Sequence, residues 1–138
     1  MLTSSRAVGF ASGSGSAGTT SSTRPSGRIL GGSSEAAFDR AARLADGFIF
    51  FAGGIDHVVD AWDRLRDRVG TLKRSVEEFG GEYVVLPRGG VGDLRGEVDG
   101  WRKAGGTHVS VVTMGIGLGS ADAHIDYVSS VAEALGLP

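Results

Sequence analysis

From residue 28 onward, the sequence alternates short apolar runs of strand length with longer segments of helical periodicity. The run Gly47-Phe48-Ile49-Phe50-Phe51 is the clearest strand, because an unbroken apolar run beside glycines is typical of a strand buried in a parallel sheet. Predicted strands lie at residues 28–30, 47–51, 83–86 and 107–113, and each is followed by helical periodicity, at 34–45, 55–79, 93–104 and 121–135. Four successive βα units predict an α/β fold with parallel strands and right-handed crossovers.

The helical segment at residues 55–79 has two possible forms. Its apolar residues recur at spacings of three and four from Ile55 to Phe79, which predicts an amphipathic helix. It is either one long helix or two helices that meet near Gly70-Thr71, and Gly80-Gly81 is expected to end it.

Residues 1–27 differ in composition from the rest of the chain. Seventeen of them are Ser, Thr or Gly, and Arg6 and Arg24 are their only charged side chains. Such a segment buries too little apolar surface to offset the entropy lost on ordering, so we predict a disordered tail at 1–27 and a folded unit at 28–138. The glycines argue against a transit peptide. One hypothesis for the abrupt change is unrelated coding sequence in front of a gene fragment.

Composition and charge narrow the possible partners. Apolar residues make up 41% of the chain, charged residues 22%, and the net charge is −2, so neither nucleic acid nor a membrane surface is an expected partner. The sequence contains no run of apolar residues long enough for a secretory signal or a membrane span. It also contains no cysteine, which excludes disulfides and thiolate metal sites and makes the cytoplasm the expected location.

A glycine-serine turn, formed by Gly31, Gly32, Ser33 and Ser34, separates the first predicted strand from its helix. The glycines would let the backbone approach a phosphate, and the serines would add hydroxyl donors at a helix N-terminus, where free N–H groups favour anions. The alternative is an ordinary βα turn with a serine N-cap. The motif lacks the length of G-x-G-x-x-G and the lysine of a Walker loop.

Several segments together resemble the closing half of a luciferase-like monooxygenase, a family of flavin- or deazaflavin-dependent oxidoreductases. The resemblance covers roughly residues 29–135 and is carried by the glycine-serine turn, Arg40-Ala41-Ala42-Arg43-Leu44-Ala45-Asp46-Gly47, Trp101-Arg102-Lys103-Ala104-Gly105-Gly106-Thr107-His108-Val109, Thr113-Met114-Gly115 and His124-Ile125.

This resemblance implies a (β/α)8 TIM barrel, of which 138 residues would supply about half, since a whole barrel takes about 250. It implies an oxidoreductase that holds flavin mononucleotide (FMN) or the deazaflavin coenzyme F420 and acts on a small organic substrate. The family's equivalent of the glycine-serine turn contacts the cofactor's phosphate, and Thr113 and Met114 would point toward the ring or substrate. The resemblance identifies no catalytic residue. The alternative is a non-catalytic remnant or a phosphate-ligand-binding βα module.

Half a barrel would leave two unpaired strand edges and one uncovered sheet face. We therefore expect association: a barrel-like homodimer, or a separately encoded N-terminal barrel half. The other solution is an open sheet with helices on both of its faces.

The other residues that could belong to a binding or catalytic site are less diagnostic of function. Gly53-Gly54 and Arg88 follow predicted strands, where barrel enzymes place their sites, and Arg88 could meet an anionic group of cofactor or substrate. Asp46 is expected to turn the chain between helix and strand. The histidines, His57, His108 and His124, have no metal-ligand spacing, and no Ser-His-Asp arrangement can be built from them.

Overall fold

The computed structural model describes the backbone of residues 7–9 and residues 27–51, 53–88 and 90–138. Its strands are β1 (Ala7–Gly9), β2 (Ile29–Gly31), β3 (Gly47–Phe51), β4 (Gly80–Val85) and β5 (His108–Val111). Its helices are α1 (Glu35–Leu44), α2 (Ile55–Thr71), α3 (Val91–Lys103) and α4 (Ala121–Ala134).

The strands form one sheet in the order β1-β5-β4-β3-β2. The four strands from β2 to β5 are parallel, and each lies beside the next one along the chain. The prediction of an α/β fold with four βα units is confirmed. The sheet is open, with β1 and β2 as its outer strands.

Strand β1 lies inside the segment that we predicted to be disordered. It pairs antiparallel with β5, with Val8 opposite Val109, so the prediction of disorder is wrong for Ala7–Gly9. The physical reason is that an outer strand presents unpaired backbone N–H and C=O groups, which a short segment of almost any sequence can satisfy. Strand β5 therefore has neighbours on both sides. The rest of the predicted tail, residues 1–6 and 10–26, lies outside the described residues.

The helices and one face of the sheet enclose a single apolar core. Alternate residues of the inner strands point into it, as the period of a β-strand requires. Two tryptophans lie at its centre, Trp62 of α2 and Trp101 of α3, with ring centroids 5.5 Å apart. Their indole N–H groups donate to the backbone carbonyls of Ala104 and His108, so neither buried nitrogen lacks an acceptor. The fully buried strand residues of the core are Phe48, Phe50, Tyr83, Val85 and Val109, and the partly buried Leu30 and Val111 pack against them.

The opposite face of the sheet, which we call the open face, carries the other half of each strand. Ile49 is half-buried there, and Phe51 is 64% exposed. Ser110 donates to the Glu82 carboxylate on the neighbouring strand. No described helix packs on this face, so the alternative with helices on both faces is wrong. The reason is topological: right-handed crossovers between strands taken in consecutive order all return on the same side.

Helix α2 is a single helix that ends at Thr71, before the predicted 55–79 segment does. Lys73 has a left-handed φ of 57°, and the amide of Arg74 donates to the carbonyl of Val69, which is the hydrogen bond of a Schellman C-cap. The cap uses lysine where glycine is usual. The helix ends at the Gly70-Thr71 break of the two-helix alternative, but no second helix follows it in residues 72–79. The helical pattern of apolar residues continues past Thr71 in the sequence because Val76 and Phe79 also pack in the core, although they lie in a turn. Gly80 and Gly81 begin β4 and do not end a helix.

Asp46 has the structural role predicted for it, at the N-terminal edge of the sheet. Its carboxylate accepts from the amide of Arg28, and its carbonyl accepts from Gly80, so it ties β2, β3 and β4 together. Arg74 lies beside it and donates to the carbonyls of Ala42 and Ala45 at the end of α1.

The buried Tyr83 makes the stability of the fold sensitive to alkaline pH. Burial, and then the hydrogen bond and charge of Glu97, raise the pKa of Tyr83 well above its ordinary 10. A raised folded-state pKa means that this contribution is complete below about pH 10 and is lost as the pH rises further. We expect the thermal midpoint of the wild type to fall between pH 9.5 and about 11.5 more steeply than that of Tyr83→Phe. Parallel curves in calorimetry would contradict this prediction.

Candidate functional site

The carboxyl ends of β2, β3, β4 and β5 meet at one edge of the sheet, where parallel α/β folds bind their ligands. A glycine-containing connection leaves each strand at this edge, so the backbone can approach a ligand closely there. The connections are residues 32–34, 52–54, 86–90 and 112–120.

The glycine-serine turn is exposed and connects β2 to α1. Gly32 has a φ of +139°, and a Cβ atom there would lie 3.0 Å from the Cβ of Ala37, so the turn needs glycine for both conformation and space. Ser34 is the N-cap of α1, and its hydroxyl accepts from the amide of Ala37. This is the serine N-cap of the alternative interpretation, an ordinary βα turn. The first amides of the helix, Glu35 and Ala36, have no acceptor within the helix because of their position in it.

Three charged side chains lie next to this turn. Glu35, the first residue of α1, forms ion pairs with Arg64 and Arg68 of α2, and the hydrogen bond from Arg68 is the main cause that lowers the pKa of Glu35. Arg68 also pairs with Asp39. The two guanidinium groups offset the negative charge that Glu35 would otherwise bring to an anion at the helix start.

A second feature of the same edge is a cleft of about 560 Å³ between the β4–α3 and β5–α4 connections, which we call the strand-end cleft. Its volume lies within the range of about 300–1,000 Å³ that is typical of small-molecule sites. Arg88 supplies its only charged side chain among the described lining residues, and Tyr127 of α4 supplies an aromatic wall. The lining is Leu86, Pro87, Arg88, Met114, Gly115, Ile116, Leu118 and Tyr127.

Tyr127 lines this cleft, but its hydroxyl lies below the accessible surface. Its hydroxyl is buried and has no hydrogen-bond partner among the described residues. Burial raises the pKa of Tyr127, so the hydroxyl keeps its proton and remains a donor.

Thr113 lies directly before the cleft but faces another way. Its buried hydroxyl is 2.9 Å from Nδ1 of His124, in the first turn of α4. This contact fixes the β5–α4 connection against the helix layer. Any contact of Thr113 with a cofactor stays a prediction, whereas Met114 is exposed and lines the cleft.

The glycine-serine turn and the strand-end cleft are thus at the same edge but on different strands. The turn follows β2 and the cleft follows β4 and β5, which puts them at least two strand spacings, about 10 Å, apart. Gly53 and Gly54, after β3, lie between them in the strand order and have left-handed φ values. Sequence reasoning found Arg88 and Met114 but missed Tyr127, because an aromatic residue in an amphipathic helix gives the signal of a core residue.

No family model matches this sequence, and no curated protein matches it. The described histidines do not form a metal centre: His108 contacts Thr107, and no cluster of three or more His, Asp or Glu side chains suited to a metal occurs in the described ranges. Among the helices that the structure describes, none is both long and apolar enough to cross a membrane.

Proposed function

We propose that this chain is the C-terminal half of a luciferase-like (β/α)8 oxidoreductase barrel, and that its glycine-serine turn holds the phosphate of FMN or of coenzyme F420. The observation that carries the proposal is the turn itself, exposed at the carboxyl end of β2 with a glycine-only conformation at Gly32 and the start of α1 directly behind it. Phosphates bind at such helix starts because the first N–H groups have no partner and the helix dipole favours negative charge.

The residues present fit the phosphate end of such a cofactor. Gly31 and Gly32 allow close backbone approach, and Ser33 adds a hydroxyl, while Ser34 is already engaged as the helix cap. When bound, the flavin or deazaflavin would supply the redox chemistry, and the chain would bind and orient it. The width of the sheet edge between β2 and β5 leaves room for the ring system beyond the phosphate.

Closure of a barrel would need a partner. The outer edge of β2 and the open face are the surfaces that such a partner would cover, whether a second copy of this chain or a separately encoded N-terminal half. A cytoplasmic location fits a sequence without cysteine. A small organic molecule would be the substrate, and no nucleic acid or membrane partner is proposed.

A phosphate-ligand-binding βα module without catalysis is the second candidate. The observation that favours it is the sheet itself, which is open and has β1 seated on the edge of β5, where the next barrel strand would have to pair. In this case the glycine-serine turn would still bind phosphate, but no barrel would form around the ligand.

Fluorescence titration of the full chain with FMN and with coenzyme F420 tests the proposal. We expect one of them to bind, and Gly31→Val to weaken it at least tenfold, because a valine side chain at an exposed strand position blocks the approach of the phosphate without straining the backbone. Ser33→Ala should weaken binding about threefold through one lost hydrogen bond. Riboflavin, which has the ring without the phosphate, should bind more weakly than FMN.

Gly90→Val is the matched control. Gly90 is the N-cap of α3, at the equivalent helix start after β4, and a Cβ atom there has open space around it. Binding that is equal in Gly31→Val and the wild type, or lost equally in Gly90→Val, would overturn the proposal. If a simple phosphomonoester binds as tightly as either cofactor, the phosphate-binding module is correct and the oxidoreductase is not.

A further inference from the structure

Helix α4 carries a row of apolar residues that its own fold does not cover. The only buried residue of this helix is Val131, which belongs to the core. A second apolar row, which we call the α4 flank, consists of Ile125, Val128 and Ala132. Ile125 is 62% exposed. Since a helix turns by about 100° per residue, Ile125 and Ala132 lie about 100–120° around α4 from Val131, at the side of the helix and not beneath it.

The α4 flank lies at one margin of the helix layer. In this layer α1 packs on α2, α2 on α3 and α3 on α4, so α4 is an outer helix. Tyr127 marks the side of α4 that faces inward along the layer, because it lines the strand-end cleft beside the β4–α3 connection. Ile125 lies about 160° around the helix from Tyr127 and therefore faces away from α3.

Helix α1 forms the opposite margin and has a comparable flank. Leu44 is 55% exposed, and Ala37 and Arg40 lie one and two turns before it on the same side of the helix. We call these three residues the α1 flank. It faces away from α2, because the other side of α1 carries Asp39, which pairs with Arg68 of α2.

The two flanks carry opposite charge. Helix α4 contains the carboxylates of Asp122, Asp126 and Glu133 and has no Lys or Arg. Arg40 of the α1 flank is exposed, and no described carboxylate forms an ion pair with it. Two α4 helices in contact would bring like charges together, whereas α4 against α1 joins apolar side chains and places opposite charges at the rim of the contact.

We propose that the α4 flank docks on the α1 flank of a second copy of this chain, with Ile125 against Leu44 and Arg40 facing the carboxylates of α4. Each copy offers both flanks, so two copies form a closed pair through two equal contacts. The inference goes beyond the proposed function, which leaves the partner open between a second copy and a separately encoded half. It requires neither a cofactor nor pairing between the sheets.

Sedimentation velocity of the full chain over a concentration series tests this contact. We expect the wild type to be in monomer–dimer equilibrium. Ile125→Asp and Leu44→Asp should each raise the dissociation constant at least about tenfold, because each places a charge in the apolar centre of the contact. Arg40→Gln should raise it about threefold through loss of a charge at the rim. Thermal midpoints close to that of the wild type would show that these exposed substitutions leave the fold intact.

Two controls replace exposed apolar side chains outside both flanks. Leu72→Asp is matched to Leu44→Asp, because Leu72 is 45% exposed at the end of α2. Phe51→Ser removes the exposed ring of the open face. Both should leave the dissociation constant unchanged. A loss of association in either control as large as that in Ile125→Asp would place the interface elsewhere and overturn the proposal.

Mixing the two disrupted variants tests the pairing of unlike flanks. Ile125→Asp retains an intact α1 flank and Leu44→Asp an intact α4 flank, so their mixture should form a mixed dimer through one intact contact, at higher concentration than the wild type. A mixture that associates no more than its components, association that persists in Leu44→Asp, or a wild type that stays monomeric would overturn the proposal. A monomer that binds FMN would leave the proposed function standing, and a dimer that binds neither cofactor would do the reverse.

Discussion

Gly106→Ala should destabilise the fold by about 3 kcal/mol or more, although it adds a single methyl group. A Cβ atom at this position would lie 2.1 Å from Cε2 of Trp101, which is fully buried between α3 and the sheet. The ring cannot move away, because its indole nitrogen donates to the carbonyl of His108 and its other face packs on Trp62 and Phe50. Gly106 also donates to the carbonyl of Trp101 in the Schellman cap of α3, so backbone movement would break that cap.

Gly96→Ala is the matched control for this change. Gly96 lies within α3, and a Cβ atom there meets nothing within 4 Å. The same substitution should therefore stabilise the protein by about 0.5–1 kcal/mol, because alanine favours a helix interior over glycine. Urea unfolding followed by circular dichroism measures both variants. If both variants change stability by the same amount, the packing of Trp101 against Gly106 described here is incorrect.

Trp62→Ala should lower the free energy of unfolding by about 3–5 kcal/mol. The side chain is 1% exposed, and its ring contacts Phe50, Phe79 and Trp101 at centroid distances of 6.0, 6.1 and 5.5 Å. Its removal leaves a cavity where α2, α3 and the sheet meet, and it also removes the donor to the carbonyl of Ala104. The loss is a large fraction of the stability of a typical domain, about 5–15 kcal/mol.

Trp62→Phe separates the cavity from the hydrogen bond. It keeps an aromatic ring in the cluster and loses the indole donor and part of the volume, so we expect a cost of about 1–2 kcal/mol. Both variants are compared by urea unfolding under the same conditions. A Trp62→Ala protein as stable as the wild type would show that α2 does not pack on the sheet through this residue.

The strands and helices of the folded unit were predictable because their patterns are governed by burial on a single face. Strand β3 was predicted at its observed bounds, since a run of aromatic residues beside glycines leaves few alternatives. The end of α2 was predicted only as one of two alternatives, a break near Gly70-Thr71, because Lys73 takes the left-handed position that glycine usually marks. Strand β1 was also missed, because a low-complexity sequence carries no signal for the backbone pairing that places it beside β5.

The candidate site was predictable to a smaller degree. The glycine-serine turn was visible because glycines after a strand and a serine at a helix start are local signals. The strand-end cleft joins residues of α4 and of the connections after β4 and β5, which are far apart in sequence, and only the parallel pairing of the strands brings them together. The direction of the Thr113 side chain was not predictable for the same reason, because its hydroxyl contacts His124 of α4, on a different element of the fold.

The most direct test of the phosphate site is to record the amide signals of the ¹⁵N-labelled chain by NMR during a titration with FMN, and again with coenzyme F420. The account predicts that the largest shifts for at least one cofactor occur at the amides of Gly31, Gly32, Ser33, Glu35 and Ala36. Inorganic phosphate should move the same signals in the same direction, at higher concentration. Shifts that avoid this turn with both cofactors, or no shifts at all, would contradict the claim that the start of α1 binds a phosphorylated cofactor.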